Sequence, residues 1–235
     1  MHRITGSSFN EVYVGLAKKL IANGNEISPK ENKTLELCNV MLCLANPKEN
    51  LLTIPSRNYD FDYLRAEIDW YNSCSLHVDG IKDHASIWSE IADDGGFVNS
   101  NYGYIMMKQM ENGFTQWEWC KMSLEKDLYT RQAVINFNQP RHKYIGNKDF
   151  VCTLSMQFLY RNGQLDCIVH MRSNDFIYGL AYDLPWFTIK HIEMARDLNL
   201  ELGNYYHMAT SMHVYKKHFK LLKSIASEKS RENHE

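Results

Sequence analysis

A chain of 235 residues, 44% of them hydrophobic, is long enough to bury a substantial core, and we expect one domain over residues 1–235. Its 26 basic residues nearly balance its 28 acidic ones, so it presents no general field for a polyanion. Binding to a nucleic-acid polymer is therefore not expected, and an anionic ligand would have to be met by local arginines.

The six cysteines show neither a paired CxxC nor a Cys/His spacing, so the sequence predicts no metal site. We expect no signal peptide, and no apolar run is long enough to span a membrane. We therefore expect a cytoplasmic protein without a membrane partner.

Apolar periodicity predicts the elements in chain order. Helices are predicted at residues 11–22, 60–71 and 184–199, and strands at residues 34–45, 131–137, 152–160, 164–171 and 205–215. Asp60 is expected to cap the second helix. Its inward side chains would be Leu64, Ile68 and Tyr71. Helices and strands in this mixed order indicate an α+β fold, and the charged residues 228–235 are expected to fray.

Residues 152–160 alternate between apolar and polar side chains, as on a half-buried strand. The apolar side would hold Cys152, Leu154, Met156, Phe158 and Tyr160, and the polar side Thr153, Ser155 and Gln157. Asn162-Gly163 is a strong hairpin signal, which makes residues 164–171 the returning strand. Taken alone, Cys152 is most simply a small buried hydrophobic residue.

An ordered set of motifs changes that interpretation of Cys152. The set comprises Cys152, Gln157-Phe158, Arg172-Ser173-Asn174-Asp175, Gly179 and His213-Val214-Tyr215, preceded by Glu67-Ile68-Asp69-Trp70, Ile87-Trp88 and Asn101-Tyr102-Gly103. In order and approximate spacing it resembles the thymidylate synthase family, and in detail that family's phage deoxycytidylate hydroxymethylase branch. The resemblance implies a large mixed β-sheet flanked by helices, sheet-to-sheet pairing in a homodimer and, for a phage-encoded member, the host cytoplasm.

A pyrimidine is a poor nucleophile at C5 until a thiolate adds to C6. The resemblance makes Cys152 that thiolate, with Arg172 as the nearby cation that favours its ionised form. It also places Tyr102 near the C5 proton that must leave, and Glu67 among the groups that relay protons around the ring.

The resemblance also assigns contacts to the substrate phosphate. Arg172 and Ser173 would bind it, together with Arg131 reaching in from the partner subunit. The second arginine of the family's adjacent pair is replaced here by Gln132. A structural salt bridge is the alternative role for Arg172.

The sugar contacts are implied in the same way. His213 and Tyr215 lie two apart on one strand, so they share a face, and in the family such a pair holds the 3′-hydroxyl. A buried core pair is the alternative. The resemblance implies that Asp175 contacts both the nucleotide and the folate. A basic residue of an N-terminal phosphate loop is usual as well, and either Lys30 or Lys33 could serve unless both are solvated loop lysines.

Asp183 stands where the family has an asparagine that reads uracil O4 and N3–H. An ionised carboxylate only accepts hydrogen bonds, so it suits the cytosine amino group and repels uracil O4. It would also favour a proton on N3, which makes C6 a better target for the thiolate. Thr153, in place of the histidine usual after the cysteine, points to cytosine as well. A loop or helix-cap aspartate is the alternative for Asp183.

The one-carbon donor implied is 5,10-methylenetetrahydrofolate. The positions that match its site in the family are Ile87, Trp88, Gly179 and Tyr182, together with Asp175.

The product depends on what reaches the exocyclic methylene group that remains on the ring. Hydride would give a methyl group and water a hydroxymethyl group, and thymidylate synthases exclude water with an apolar C-terminal tail. Residues 227–235 are not apolar here, so we expect 5-hydroxymethyl-dCMP from dCMP. A methyltransferase giving 5-methyl-dCMP and dihydrofolate is the first alternative. A non-catalytic nucleotide- or RNA-binding member is the second, against which the joint presence of Cys152, Glu67, Arg172 and Asp183 argues.

Overall fold

The structure is a computed structural model that describes residues 1–108, 110 and 112–228, with the backbone alone at Lys30. The Lys30 side chain and the tail beyond residue 228 lie outside the described residues. The expectations placed on the phosphate-loop lysine and on the frayed, non-apolar tail therefore stay predictions.

Strands and helices alternate along the chain without a simple repeat. The strands are β1 (His2–Gly6), β2 (Asn25–Ile27), β3 (Thr34–Leu44), β4 (Val134–Asn136), β5 (Thr153–Arg161), β6 (Gln164–Met171), β7 (Asn174–Asp175) and β8 (Glu201–Tyr215). The helices are α1 (Phe9–Asn23), α2 (Phe61–Asn72), α3 (Ile87–Ile91), α4 (Tyr102–Met107), α5 (Gln116–Lys126), α6 (Leu180–Asp197) and α7 (Phe219–Ser227). Their contacts divide the chain into two compact units, residues 1–59 with those from 160 onward, and residues 60–159. The single catalytic domain over residues 1–235 stays a prediction.

The first unit is built on a mixed sheet. β1 runs parallel to β3, β3 runs antiparallel to β8, and β8 runs parallel to β6. β2 pairs antiparallel with the start of β3, and β7 pairs in parallel with the end of β8. Helices α1, α6 and α7 pack against these strands. The predicted α+β class with a large mixed sheet and flanking helices is confirmed, whereas the sheet-to-sheet homodimer stays a prediction.

Helix α1 confirms the helix predicted over residues 11–22 and anchors the segment that follows β7. The Ser8 side chain caps it by accepting from the backbone N–H of Glu11 at 3.3 Å. Tyr13, fully buried, stacks on Phe176 with ring centroids 4.1 Å apart and donates its hydroxyl to the Phe176 carbonyl at 2.8 Å. The loop after β7 is therefore held against a rigid helix.

Helix α6 begins at Leu180, earlier than the predicted residue 184. Proline is favoured in the first turn of a helix, and a start at residue 184 would place Pro185 there. Pro185 in fact lies one turn further in, where it has no N–H for the carbonyl of Ala181. The Tyr59 hydroxyl donates to that carbonyl at 2.8 Å and replaces the lost helical bond. The earlier start puts Asp183 in the first turn of α6.

Strand β8 changes the face on which it buries side chains. Tyr205 and His207 are fully enclosed, but beyond residue 210 the buried positions become Met212 and Val214. Opposite the change, Asn39 of β3 has a φ of 56°, a left-handed conformation that interrupts regular strand geometry. Residues 213 and 215 are consequently half-buried, because beyond residue 210 the even-numbered positions are the buried ones.

In the second unit, helix α2 begins at its predicted cap. The Asp60 side chain accepts from the backbone N–H of Tyr63 at 2.9 Å. The inward role expected of Ile68 is wrong, because α2 is rotated so that its neighbour Glu67 is enclosed instead and Ile68 is only half-buried. The buried face consists of Leu64, Glu67, Trp70 and Tyr71.

Helix α4 meets α2 at an approach that only glycine allows. The Asn101 amide donates to the carbonyl oxygens of Trp70 and Ser75 at 2.8 and 3.0 Å. A Cβ on Gly103 would lie 1.7 Å from the carbonyl oxygen of Tyr71, which is deep in overlap. The Asn-Tyr-Gly motif therefore fixes α4 against α2 through backbone contacts that no side chain at position 103 would permit.

The predicted strands around the hairpin signal are present. β4 pairs antiparallel with β5, Ile135 lying opposite Met156. Asn162 and Gly163 have φ values of 52° and 83°, both positive as a type I′ turn requires. β6 has the predicted bounds.

Candidate active site

Cys152 lies directly before β5 and is half-buried, with its Sγ 3.9 Å from the carbonyl oxygen of Phe150. The expected alternation fails here. Val151 and Thr153 are fully buried, and so are Met156 and Phe158 further along. The buried positions therefore change from odd-numbered to even-numbered residues within the strand. Thr153 is therefore not on a polar face, and Cys152 does not share the buried face of β5. Its half-exposed thiol keeps the access that a nucleophile needs.

All six cysteines are free thiols. Burial raises the pKa of Cys120 to about 12, which makes that thiol inert at neutral pH. Burial and the neighbouring Glu36 carboxylate raise the pKa of Cys38 as well. These two thiols are poor candidates for a nucleophile.

The second unit brings Glu67 and Trp88 together through a residue that the sequence did not indicate. The Tyr63 hydroxyl donates to Glu67 Oε1 at 2.7 Å and accepts from Trp88 Nε1–H at 3.1 Å. Both Glu67 and Trp88 are buried. Tyr63 precedes Glu67 by one helical turn on α2, and this spacing was the signal that could have identified it.

Tyr102 is buried among aromatic rings of the same unit. It stacks on Tyr71 with centroids 5.1 Å apart and meets Phe137 edge-on at 5.4 Å. Two other predicted residues lie at the surface of this unit: Arg131 is exposed, with its carbonyl accepting from Gln157, and Ile87 is 49% exposed.

In the first unit, Asp175 and His213 converge. Oδ1 of Asp175 accepts from the backbone N–H groups of Ile177 and Tyr178 at 2.7 and 2.5 Å. Oδ2 lies 4.0 Å from His213 Nε2 and is buried, with no hydrogen-bond donor among the described residues. The Asp175 carboxylate thus has one oxygen fixed by the loop and one left for a ligand.

The neighbouring predicted residues are only partly enclosed. Arg172 and Ser173 are half-buried, and the Arg172 carbonyl accepts from Ser211 N–H at 3.3 Å. His213 and Tyr215 are half-buried as well, with their rings 5.4 Å apart and nearly perpendicular. These four side chains retain surface that a ligand could contact.

Asp183 lies at the end of a buried hydrogen-bond network. Asn174 Nδ2 donates to Asp183 Oδ2 at 2.7 Å, and Asn174 Oδ1 lies 3.0 Å from His207 Nε2. His207 Nδ1 in turn lies 3.0 Å from the Tyr205 hydroxyl. Asn174 occupies the variable position of its motif, so sequence reasoning passed over it. The alternation of Tyr205 and His207 on one strand was a usable signal that was not followed.

The environment of Asp183 favours its neutral form. Burial, with the charge of Asp175 acting in the same sense, raises the pKa of Asp183 to about 7, while the hydrogen bond from Asn174 acts in the opposite sense. This carboxyl therefore exchanges a proton near neutral pH, as groups in active sites often do.

Gly179 and Tyr182 lie close to Asp183 in the chain, and each packs tightly against other residues of the first unit. Tyr182 is buried and stacks on Tyr59 with centroids 4.9 Å apart, and the guanidinium of Arg57 lies 5.9 Å from its ring centre. A Cβ on Gly179 would lie 2.6 Å from Asn174 Nδ2. The folate contacts expected of both residues stay predictions.

Within residues 1–108, 110 and 112–228, no three His, Cys, Asp or Glu side chains are arranged to hold a metal ion. Nor does any described helix combine the length and the apolar character needed to cross a membrane.

A family comparison agrees with the fold. The family model described as thymidylate synthase matches residues 11–234, so the chain belongs to the thymidylate synthase family. Membership supports one-carbon transfer to a nucleotide as the class of reaction.

Individual relatives narrow the comparison. The chain is 31% identical over 173 residues to the deoxycytidylate 5-hydroxymethyltransferase of Enterobacteria phage T4, an alignment that covers 68% of this chain and 70% of the phage protein. It is 29% identical over 226 residues to the deoxyuridylate hydroxymethyltransferase of Bacillus phage SP01, covering 92% of this chain and 59% of that protein. A thymidylate synthase of Vesicomyosocius okutanii is 24% identical over 168 residues, covering 66% and 60% respectively.

Proposed function

We propose that this chain transfers a one-carbon unit from 5,10-methylenetetrahydrofolate to C5 of dCMP and releases 5-hydroxymethyl-dCMP. The observation that carries the choice of base is the buried Asp183 carboxyl with its donor Asn174. The choice of product is supported by the two phage relatives, both of which are named as hydroxymethyltransferases.

Cys152 is the nucleophile in this proposal. Its thiolate adds to C6, the electron pair of the C5=C6 bond moves to C5, and C5 forms a bond to the one-carbon unit. The folate supplies that unit at the oxidation level of formaldehyde. The C5 proton then leaves and the bond from the one-carbon unit to the folate nitrogen breaks, which releases tetrahydrofolate and leaves an exocyclic methylene group. Water adds to that group, and the Sγ–C6 bond breaks to return the thiolate. Half-burial of Cys152 supports the role, because the sulfur is neither fully enclosed nor fully solvated.

Glu67 is proposed to order the water and move protons during these steps. Its carboxylate is buried and has one oxygen held by the Tyr63 hydroxyl at 2.7 Å. A carboxylate fixed in this way meets the requirement that a general base be positioned before it acts. Tyr102, stacked on Tyr71, is proposed to lie near the departing C5 proton.

Asp183 is proposed to distinguish cytosine from uracil. As a carboxylate it accepts from the cytosine 4-amino group, whereas the carbonyl at the same position of uracil offers no hydrogen to it. Its pKa of about 7 lets it share a proton with ring nitrogen N3, which draws electrons away from C6, the atom that the thiolate attacks.

The folate is proposed to contact the residues that the family resemblance assigns to it. Oδ2 of Asp175 is a buried acceptor with no donor among the described residues, which suits an N–H of the folate ring. Ile87 offers an exposed apolar side chain next to the buried Trp88.

Three alternatives remain distinct. The relative from phage SP01 acts on deoxyuridylate by name and aligns with more of this chain than the T4 protein does, so dUMP is the competing substrate. A methyl product is the second alternative, and a non-catalytic nucleotide- or RNA-binding role is the third.

One experiment separates them all. The protein is incubated with dCMP or dUMP and methylenetetrahydrofolate in water enriched in ¹⁸O, and the nucleotide product is analysed by mass spectrometry. We expect 5-hydroxymethyl-dCMP carrying the heavy oxygen, and no product from Cys152→Ser. A methyl product, a product from dUMP alone, or binding of dCMP without turnover would each select one alternative.

A further inference from the structure

The network behind Asp183 contains three residues that the proposed mechanism does not use. Tyr205 and His207 lie two apart on β8 and are fully buried, and Asn174 on β7 is 3% exposed. None of them is expected to touch the nucleotide. Their hydrogen bonds nevertheless form a line that ends on the base-reading carboxyl, which indicates that they act through it.

The direction of each hydrogen bond follows from Asn174. Its Nδ2 donates to Asp183, so its Oδ1 is the acceptor for His207. His207 Nε2 must then carry a hydrogen. A neutral imidazole has one N–H, so Nδ1 is an acceptor, and the Tyr205 hydroxyl donates to it. Every donor in the network therefore points towards Asp183.

The pKa values of His207 and Tyr205 keep the donors in this direction around neutral pH. Burial, reinforced by nearby His170, lowers the pKa of His207 to about 3, so its imidazole is neutral. Burial raises the pKa of Tyr205 well above its ordinary value, with Cys167 and Asp183 acting in the same sense, so its hydroxyl keeps its hydrogen. Asp183, faced by Asn174 and Asp175, is the member that titrates near neutrality.

We propose that this network confines the Asp183 proton to Oδ1 and keeps Oδ2 an acceptor, so that the protonated carboxyl still reads cytosine. Tyr205, His207 and Asn174 are then positioning residues that set base specificity. The proposal deepens the proposed function and rests on it for one point, that the base is the cytosine of dCMP.

A protonated carboxyl can imitate an amide. With a hydrogen on the oxygen facing position 4 of the base, Asp183 would donate to uracil O4 while its other oxygen accepted from N3–H, as the family's asparagine does. An Asp183 that is partly protonated at neutral pH would thus lose its selectivity. The Asn174 N–H aimed at Oδ2 opposes this, because the carbonyl oxygen of a carboxylic acid is a better hydrogen-bond acceptor than its hydroxyl oxygen. A donor bound to Oδ2 therefore favours the form with the proton on Oδ1, facing N3.

The network can be tested without any substrate. In the ¹⁵N-labelled full-length protein, imidazole NMR should show His207 as the Nε2–H tautomer from pH 6 to pH 8, with the signal assigned by its loss in His207→Gln. An Nδ1–H tautomer would reverse the hydrogen bonds and overturn the inference. This measurement uses the wild-type protein, so it does not depend on any variant folding.

Titration of the Asp183 carboxyl by ¹³C NMR gives the second readout, and Asp183→Asn assigns the signal. Asn174→Ala removes the donor and should raise the titration midpoint by about one pH unit. His207→Leu should raise it by less, and His207→Gln, whose amide can both donate and accept, should restore it. His191→Leu is the matched control, because His191 is a buried histidine of α6 bonded to the Leu165 carbonyl and not to the network. An unchanged midpoint in Asn174→Ala, or an equal rise in the control, would overturn the proposal.

Specificity gives the third readout. The ratio of kcat/KM for dCMP to that for dUMP should fall by about tenfold or more in Asn174→Ala and His207→Leu at pH 6, and by less at pH 8, where Asp183 is mostly ionised. An unchanged ratio at pH 6 despite a shifted titration overturns the proposal. If wild-type protein binds dCMP but does not convert it, the proposed function fails, while the tautomer and titration results still decide the network.

Discussion

Gly179 and Asn174 approach so closely that a Cβ on residue 179 would lie 2.6 Å from the Asn174 amide nitrogen. The same Cβ would also lie 3.0 Å from the carbonyl oxygen of Asp175. The φ of Gly179 is −90°, so its backbone conformation is open to any residue and space alone requires glycine. Because residue 179 has no side chain, the Asn174 amide has room to reach Asp183 across the start of α6.

Gly179→Ala should therefore act on Asp183 at a distance. The added methyl displaces the Asn174 amide, the carboxyl loses its donor, and its titration midpoint should rise as it does in Asn174→Ala. The ¹³C titration measures this directly. Gly15→Ala is the control, because its Cβ would meet only a methyl group of Ile4, 2.9 Å away. A Gly179→Ala protein with a wild-type midpoint would show that the amide can adapt.

Asp183→Asn should move base preference from dCMP towards dUMP. The amide can donate to O4 while its carbonyl accepts from N3–H, and it cannot hold a proton for cytosine N3. Sites built on buried hydrogen bonds discriminate by as much as roughly 10⁴–10⁵, so the loss of kcat/KM with dCMP should be large. The gain with dUMP should be smaller, since Thr153 replaces the family's ring-side histidine.

The control for this substitution is Asp166→Asn, a half-buried aspartate of β6 that accepts from Asn204 N–H at 2.7 Å. It should leave the dCMP to dUMP ratio unchanged. If Asp183→Asn also leaves the ratio unchanged, Asp183 does not read the base and the main argument for cytosine is lost.

The sequence was sufficient for features that depend on local patterns. The hairpin at Asn162-Gly163, the bounds of β6 and the cap of α2 at Asp60 all follow from turn, strand and capping preferences within a few residues. The ordered motifs indicated the family, which the match over residues 11–234 confirms.

Features that depend on tertiary contacts were not predictable in this way. The start of α6 was missed because the Tyr59 hydroxyl, distant in sequence, compensates for Pro185. The burial of Thr153 was missed because alternation assumes one continuous phase along a strand. His207 and Asn174 have no sequence signature as partners, since they meet only when β7, β8 and α6 pack together.

Cys152→Ser should bind dCMP nearly as well as wild-type protein and fail to turn it over. An alcohol is far less ionised than a thiol at neutral pH, so addition to C6 becomes negligible. Release of tritium from [5-³H]dCMP follows addition directly and does not require the one-carbon transfer to finish. Cys120→Ser serves as the control, because Cys120 is fully buried and its pKa is raised to about 12. Exchange at the wild-type rate in Cys152→Ser would remove the nucleophile from the mechanism.

Arg131→Ala should raise KM for dCMP more than it lowers kcat, because an exposed guanidinium that contacts phosphate contributes mainly to binding. If Arg131 acts in the partner subunit, mixing Arg131→Ala with Cys152→Ser should recover activity, since one site of a mixed dimer then holds both intact residues. Mass spectrometry of differently tagged subunits verifies the mixing. Absence of recovery in verified mixed dimers would confine Arg131 to its own subunit or exclude it from the site.

Asp183 should also leave a signature in the pH dependence of stability. Burial raises its pKa from the ordinary value of 3.8 to about 7, so the folded protein binds this proton more tightly than the unfolded chain does. The stability that the proton contributes is fully present below about pH 4 and is lost as pH rises through about 7. Asp183→Asn has no such proton. The stability of the variant relative to wild type should therefore rise between pH 5 and pH 7 by on the order of 2 kcal/mol and level off above pH 8.

Urea unfolding at pH 5, 6, 7 and 8 measures the difference, with Asp94→Asn as a control at an exposed position. Groups that titrate identically in both proteins cancel in this comparison, so a difference that stays flat from pH 5 to pH 8 would mean that Asp183 is ionised in the folded protein throughout, and that it has no proton to share with N3.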